Sequence, residues 1–304
     1  MKYINSAISN YRIVLLSLLS LCFNRSFAQD DLMKLLGNDS TSNFGPVSAT
    51  FKTTRIINFH SLETVGKRTL DFRISHRFGD WSTGSYNLYG MDGPASIKLS
   101  LEYSYDGRLM AGVGRSSYEK MYDGYLKYRL IRQKTSEGWP LSMTAVSTLN
   151  YTSQNDPNQS ISGVNEYQFP TSRMSFVNEL IIGRKFTPSL SIQAAAYMIH
   201  YNIVQRLIDK NDIYAVSIAG RYKLTKRFAL TGEYAYRLTS AYALGTYYNP
   251  LGFGFEVETG GHVFQIQLTN AFAIDEAQVI PFTATSWTKL GFRIGFNLSR
   301  VFTL

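Results

Sequence analysis

IYAVSIAGRYKL, residues 213–224, alternates large apolar side chains with small or charged ones. Successive side chains of a β-strand point to opposite faces, so this pattern predicts a strand with one apolar and one polar face. A tilted strand of roughly 9–11 residues crosses a bilayer, whereas strands of soluble proteins have ~5–6 residues. The stretch therefore favours a transmembrane barrel strand that faces lipid through Tyr214, Val216 and Ile218 and a polar lumen through Ser217 and Arg221.

Similar runs recur from residue 68 to residue 304 and predict an all-β fold. We expect a transmembrane, antiparallel, up-and-down β-barrel of about twelve strands. The predicted strands are 68–78, 95–105, 109–117, 123–132, 141–152, 173–184, 190–203, 213–224, 228–238, 251–259, 262–270 and 287–299. All eight prolines lie outside these runs, as expected because proline cannot donate to a strand ladder. The connections alternate between short and long, which is typical of short periplasmic turns and long outer loops.

The segment FKTTRIINFH, residues 51–60, also looks like a strand. Counting it would give about thirteen strands and reverse the order of short and long connections. We therefore predict that the N-terminal segment 51–67 lies off the wall, as a lumen plug or across the periplasmic mouth. The alternative is an extra wall strand, with a total of about fourteen. Arg55 and Asn58 are candidate plug residues that could reach Glu256 and Glu258.

The chain begins with a pattern that is typical of a secretory signal. Lys2 and Arg12 precede a short apolar run, and Ser26-Phe27-Ala28 resembles a cleavage site. We expect a signal peptide at residues 1–28 and a periplasmic tail and linker at residues 29–50. The only cysteine, Cys22, lies in the signal, so the mature chain is expected to contain no disulfide.

Charged residues recur on the polar face of the predicted strands. With Asp71, the candidate lumen-lining residues are Arg73, Lys98, Glu102, Lys127, Arg129, Glu179, Arg221, Lys223, Glu233, Arg237, Glu256, Glu258 and Arg293. In a barrel of about twelve strands, opposite charges can pair across the lumen. This near balance of charge predicts a constricted or plugged lumen. The long loops carry many acidic residues, including Asp275 and Glu276, which we expect to be exposed outside the barrel.

No strong catalytic motif is present in the sequence, so we expect no enzyme activity, cofactor or bound metal. His200 and Asn202 lie on the apolar face of one predicted strand, where outer-membrane phospholipases place a His–Ser–Asn triad. Such enzymes have a serine two residues from the histidine, but those positions hold Met198 and Asn202. The net charge of +9 is spread along strands rather than clustered, so nucleic acid is not an expected partner.

Several segments resemble a family of Bacteroidota barrels. They are FKTTRIIN (51–58), ISHRFG (74–79), GRSSYEKMYDGYLKYRLIRQ (114–133), ETGGHVFQIQLTN (258–270) and GFNLSRVF (295–302). The family is known as a membrane-bound β-barrel domain of unknown function. The resemblance implies a barrel in the outer membrane of a Gram-negative bacterium of the Bacteroidota. It implies no biochemical activity and no catalytic residues.

Three functions are compatible with the sequence. The first is a narrow or plugged channel or transport protein for small polar solutes. The second is a structural or scaffold barrel of an envelope complex, and the third, more remote, is a lipid-active outer-membrane enzyme. Expected partners are outer-membrane lipid and lipopolysaccharide, the barrel-assembly machinery during biogenesis, and an envelope partner bound through the N-terminal tail.

Overall fold

The computed structural model describes residues 47, 49–134, 138–156, 167–204, 209–239 and 246–304. The predicted signal peptide and nearly all of the predicted tail lie outside the described residues. Among the described residues, no helix is long and apolar enough to cross a membrane.

Twelve strands form a closed barrel in the described part of the chain, which confirms the predicted count and excludes fourteen. Every strand pairs antiparallel with its sequence neighbours, and the first pairs with the last. The strands are β1 Thr69–Arg77, β2 Ser96–Ser104, β3 Leu109–Ser116, β4 Met121–Ile131, β5 Ser142–Thr152, β6 Met174–Lys185, β7 Leu190–Tyr201, β8 Asp212–Lys223, β9 Phe228–Arg237, β10 Leu251–Thr259, β11 His262–Thr269 and β12 Arg293–Thr303.

Burial alternates along the strands as the sequence pattern predicts. In β8, Tyr214, Ile218 and Tyr222 are exposed on the outer face, whereas Ala215 and Ala219 are buried on the inner face. The outer face therefore presents the apolar surface that lipid requires, and the polar face points into the lumen.

The last strand begins and ends later than predicted. Residues 287–289 form a 3-10 turn, and Leu290 adopts a left-handed conformation with φ 56°. The ring of Trp287 stacks on Phe292 with 5.2 Å between centroids. These apolar residues imitate strand alternation in the sequence but pack as an aromatic cluster, so β12 begins at Arg293 and continues to Thr303.

The β11–β12 loop, residues 270–292, turns into the barrel. It contains the only α-helix in the described residues, α1 Glu276–Phe282, and this helix is buried almost throughout. The expectation that Asp275 and Glu276 are exposed is wrong, because both are at least 97% buried. The apolar residues Ile274, Val279 and Ile280 of the same loop pack into the lumen and carry the two acidic residues with them.

Residues 53–61 form a short hairpin inside the barrel, which we call the lumen hairpin. The amide of Ile56 donates to the carbonyl of Phe59 at 2.9 Å, and Ser61 donates to Thr54 at 2.8 Å. Between the described residues, the lumen hairpin makes no backbone-to-backbone hydrogen bond with any strand. It is therefore separate from the wall and is held by side chains.

Candidate functional site

The tip of the lumen hairpin binds Glu233, on the inner face of β9. The backbone amides of Ile57, Asn58 and Phe59 donate to its carboxylate at 3.1, 2.8 and 3.3 Å. The Asn58 side-chain amide adds a fourth bond at 2.8 Å and also donates to Thr269 at 3.2 Å. A turn exposes consecutive N–H groups, and a carboxylate that accepts several of them makes strong hydrogen bonds. Glu233 therefore fixes the position of the hairpin tip.

The acceptors of the same tip are bound from β12 and β1, which lie three and four strands from β9 in the sheet order. Arg77, on β1, donates to the Ile57 carbonyl and to the Asn58 side-chain oxygen, both at 3.1 Å. Asn297, on β12, donates to the Ile57 carbonyl at 3.1 Å. The polar groups of the tip are thus satisfied by side chains from several strands of the wall.

One arm of the hairpin is bound by a group of charged wall residues. The Thr54 hydroxyl donates to Glu102 and accepts from Arg73 at 2.6 Å, and the Thr54 carbonyl accepts from Lys127 at 3.1 Å. Arg73 also bonds to Asp71 at 3.0 Å. These candidate lumen residues on β1, β2 and β4 therefore meet around a single hairpin residue.

The other side of the hairpin packs on an apolar part of the lumen. Ile56, Phe59 and Leu62 are all at least 98% buried, in a cluster with inward residues of β5 to β8. The ring of Phe59 lies 5.8 Å from that of Tyr197. The lumen consequently has one charged side and one apolar side, and the hairpin is amphipathic to match.

The lumen hairpin and the β11–β12 loop meet at an ion pair. Arg55 donates to Glu276 at 2.7 Å and to the Asn58 carbonyl at 2.9 Å, and its second amino group lies 3.1 Å from Nε2 of His60. Burial and the neighbouring Arg55 hold the pKa of His60 well below its usual value. The neutral ring therefore accepts from the guanidinium. Two segments from different parts of the chain therefore meet inside the lumen.

The same junction contains a group of possible metal ligands. His60, Glu179 and Glu276 are buried, and one ligand atom from each lies within 4.8 Å of the other two. Imidazole nitrogen and carboxylate oxygen are ligands that divalent transition metals accept.

Other predicted lumen residues form ion pairs of their own. Lys98 bonds to Asp275 and lies 2.9 Å from Asp123. Arg221 donates twice to Glu256, at 2.9 and 2.6 Å. The Lys98–Asp123 and Arg221–Glu256 pairs each link two strands that are separated by one other strand, and the Lys98–Asp275 pair links β2 to the β11–β12 loop.

Two further pairs lie toward the short-turn end of the barrel. Arg129 bonds to Thr64 at 2.6 Å and to Glu63 at 3.3 Å, and Glu258 pairs with Lys52. The hairpin residues thus do not meet the carboxylates proposed for them. Arg55 contacts Glu276 and Asn58 contacts Glu233, because the hairpin reaches deeper into the lumen than Glu256 and Glu258.

Three predicted residues lie apart from the centre. Arg237 donates to the carbonyls of Pro281 and Tyr247, and Arg293 lies 3.7 Å from Asp80 in an outer loop. Lys223 is half-buried near the short-turn end and forms no ion pair with a described residue.

Five titratable residues of the lumen were not among the predicted ones. They are His60, Arg77, Asp123, Asp275 and Glu276. Strand parity was sufficient to find two of them, since Arg77 shares a face with Arg73 and Asp123 shares a face with Lys127. The apolar character of residues 271–280 was a signal that this loop folds inward.

The outward-facing His200 has an acidic partner rather than a serine. Its Nδ1 lies 2.7 Å from Asp212 on the neighbouring strand. Ser147 instead donates to Asn178 at 2.8 Å, two strands away from His200 in the sheet order. The described residues thus bring no serine to His200.

A cavity of about 280 Å³ opens at the short-turn mouth beside the hairpin. Its lining combines both signs of charge, with Lys52, Glu63, Asp71 and Glu258 among its residues.

Comparisons with solved structures find other barrels. The NanC porin is 9% identical, with a TM-score of 0.45 over 77% of this chain and 99% of that chain. The KdgM porin is 11% identical, with a TM-score of 0.44 over 77% and 99%. The COG4313 outer membrane channel from Pseudomonas putida F1 is 14% identical, with a TM-score of 0.44 over 80% and 98%.

No curated protein matches the chain. A family model matches residues 51–302, which include the lumen hairpin and all twelve strands. The chain therefore belongs to the family described as a membrane bound beta barrel domain (DUF5777).

Proposed function

We propose that this protein is an outer-membrane channel for small polar solutes, closed by the lumen hairpin and the β11–β12 loop. The observation that carries the proposal is that the wall closes without the hairpin, through the pairing of β1 with β12. The hairpin can therefore leave the lumen while every strand keeps both neighbours.

The chemistry of the hairpin contacts supports release into water. Its links to the charged side of the lumen are side-chain hydrogen bonds, such as those of Glu233 and Arg77, and water can replace them. An opened lumen would present Arg73, Glu102 and Lys127, whose mixed charges suit polar solutes of either sign. The cavity at the short-turn mouth, whose lining carries charges of both signs, supports the same solute class.

The arrangement around His200 favours a function without catalysis. A lipid-active enzyme of the expected type needs a nucleophile beside the histidine, and Asp212 accepts from only one of its nitrogens. The His200–Asp212 pair is about half exposed at a strand end, where it serves to join β7 and β8.

Deletion of residues 52–60 tests the proposal. The barrel should still form and migrate in a heat-modifiable way, and its single-channel conductance in a planar bilayer should rise severalfold. The matched control is Lys226→Ala, a change in the exposed turn between β8 and β9, which should leave conductance unchanged. A deletion that abolishes assembly would show that the hairpin is part of the folded wall and would contradict the proposal.

A scaffold function is the second candidate, and one observation favours it. Ile56, Phe59 and Leu62 fill the apolar side of the lumen as closely as a core does, which suits a permanent filling. In that case the unmodified protein shows no channel openings in a planar bilayer, and only the deletion variant conducts. An envelope partner would then bind the N-terminal tail, at residues 29–50, and affinity capture with this tail as bait would detect it.

A further inference from the structure

The buried charges of the barrel do not balance. Apart from Asp209, in the loop before β8, six buried cations face eight buried carboxylates among the described residues. The cations are Arg55, Arg73, Arg77, Lys98, Lys127 and Arg221, and the carboxylates are those of Asp71, Glu102, Asp123, Glu179, Glu233, Glu256, Asp275 and Glu276. An uncompensated buried charge is costly, so the excess of two carboxylates calls for two protons or a divalent cation.

Glu179 is the carboxylate with the weakest support. It lies on the inner face of β6 between Val177 and Ile181, on the apolar side of the lumen. Its side chain is 96% buried, and neither of its oxygens has a hydrogen-bond partner among the described residues. Buried polar groups are normally satisfied, so the two Glu179 oxygens mark a place where a ligand is expected.

We propose that His60, Glu179 and Glu276 form a binding site for a divalent transition-metal cation at the junction of the lumen hairpin and the β11–β12 loop. One nitrogen and two carboxylates suit Zn²⁺ and similar ions. Ligand atoms in such a site lie at most about 4 Å apart, given metal–ligand bonds of about 2 Å. The three ligand atoms lie within 4.8 Å of one another, so the site requires only a small movement of the side chains.

Arg55 is the competitor for this site. Its guanidinium donates a hydrogen bond to the Glu276 carboxylate at 2.7 Å and lies 3.1 Å from Nε2 of His60. These are the lone pairs that a cation would use, so metal binding releases Arg55. The ion pair that joins the hairpin to the β11–β12 loop is then exchanged for a metal bridge that also reaches β6. The inference concerns binding alone and does not depend on the proposed channel.

Isothermal titration calorimetry of the purified full chain with ZnCl₂ tests the site. The chain is purified with a tag that contains no histidine. We expect one bound ion per chain. Glu179→Gln and His60→Gln should each weaken binding by at least about tenfold, since each removes one of three ligands. Arg55→Met should tighten binding, because it removes the competing cation. Glu258→Gln, a carboxylate change at the exposed mouth, is the matched control and should bind as the unmodified chain does.

Cobalt provides a spectroscopic check. Co²⁺ bound by the proposed ligands should give a visible absorption band that is lost in His60→Gln, with folding of each variant verified by heat-modifiable migration. Absence of stoichiometric binding to the unmodified chain would overturn the proposal. Binding that survives in both Glu179→Gln and His60→Gln would also overturn it, by placing the ion elsewhere. Weaker binding of the metal ion to Arg55→Met than to the unmodified chain would show that Arg55 does not compete with the ion.

Discussion

The barrel wall and the lumen hairpin are held by different kinds of bond. Each of the twelve strands pairs through its backbone with two neighbours, and the ladder from β1 to β12 closes the ring. The lumen hairpin, by contrast, is attached to the strands by side chains such as Glu233, Arg77 and Gln193. Backbone groups in a bilayer must be satisfied within the protein, which explains why the wall keeps a complete ladder.

This difference separates two kinds of sensitivity to mutation. The wall depends on backbone geometry, so most changes of outward side chains leave its hydrogen bonds intact. The hairpin depends on a few named side chains, so a single substitution can release several of its contacts.

The largest effect is expected from proline in the wall. Ile218→Pro, in the middle of β8, removes a ladder donor and places a ring between strands paired on both sides. We expect this variant to give no heat-modifiable barrel. Ile57→Pro, at the hairpin tip, removes one of the three amides that donate to Glu233 and should still give a folded barrel. Equal loss of folding in both variants would mean that the wall cannot fold unless the hairpin is correctly formed.

An intermediate effect is expected at Glu233. Glu233→Leu leaves the buried amides of Ile57, Asn58 and Phe59 without their acceptor, at a cost of about 1–3 kcal/mol for each unsatisfied group. Thermal unfolding should show a lower melting temperature, and hydrogen exchange at residues 57–59 should become faster. Tyr236→Leu, an outward change on the same strand, is the control and should shift the melting temperature less. A larger shift for the control would show that the lipid face dominates the stability.

The smallest effect is expected at the short-turn mouth. Lys52 pairs with Glu258, but both side chains are partly exposed to solvent. Exposed ion pairs stabilise proteins by about 0–1 kcal/mol, so Lys52→Met should barely change the melting temperature. The comparison with Glu233→Leu shows whether the hairpin is fixed at its buried tip or at its entrance. If Lys52→Met lowers the melting temperature as much as Glu233→Leu does, the hairpin is fixed at its entrance rather than at its buried tip.

Alternation in the sequence was sufficient to predict the wall. The parity of residues 213–224 predicts both faces of β8, and the same reasoning predicts the strand count. It failed at β12, where the aromatic cluster of Trp287 and Phe292 has the composition of a strand without its conformation.

The partners within the lumen were not predictable in the same way. Arg55 and Glu276 are 221 positions apart, and their meeting depends on how far the hairpin and the β11–β12 loop enter the barrel. Local periodicity assigns a side chain to the inner face of a strand but does not assign it a depth or a partner across the lumen. For this reason the sequence leads to Glu256 and Glu258 as partners of Arg55 and Asn58, whereas the structure pairs these residues with Glu276 and Glu233.

The two segments that fill the lumen both adjoin the seam between β1 and β12. The lumen hairpin precedes β1, and the β11–β12 loop precedes β12. Joining β1 to β12 closes a loop that spans nearly the whole described chain, and its entropic cost grows only slowly with length. Once the seam has formed, the Arg55–Glu276 contact closes only short additional loops on either side of it. Closing the seam therefore costs conformational entropy once. The contact between the hairpin and the β11–β12 loop then adds little further entropic cost, because the seam already holds the two segments close together.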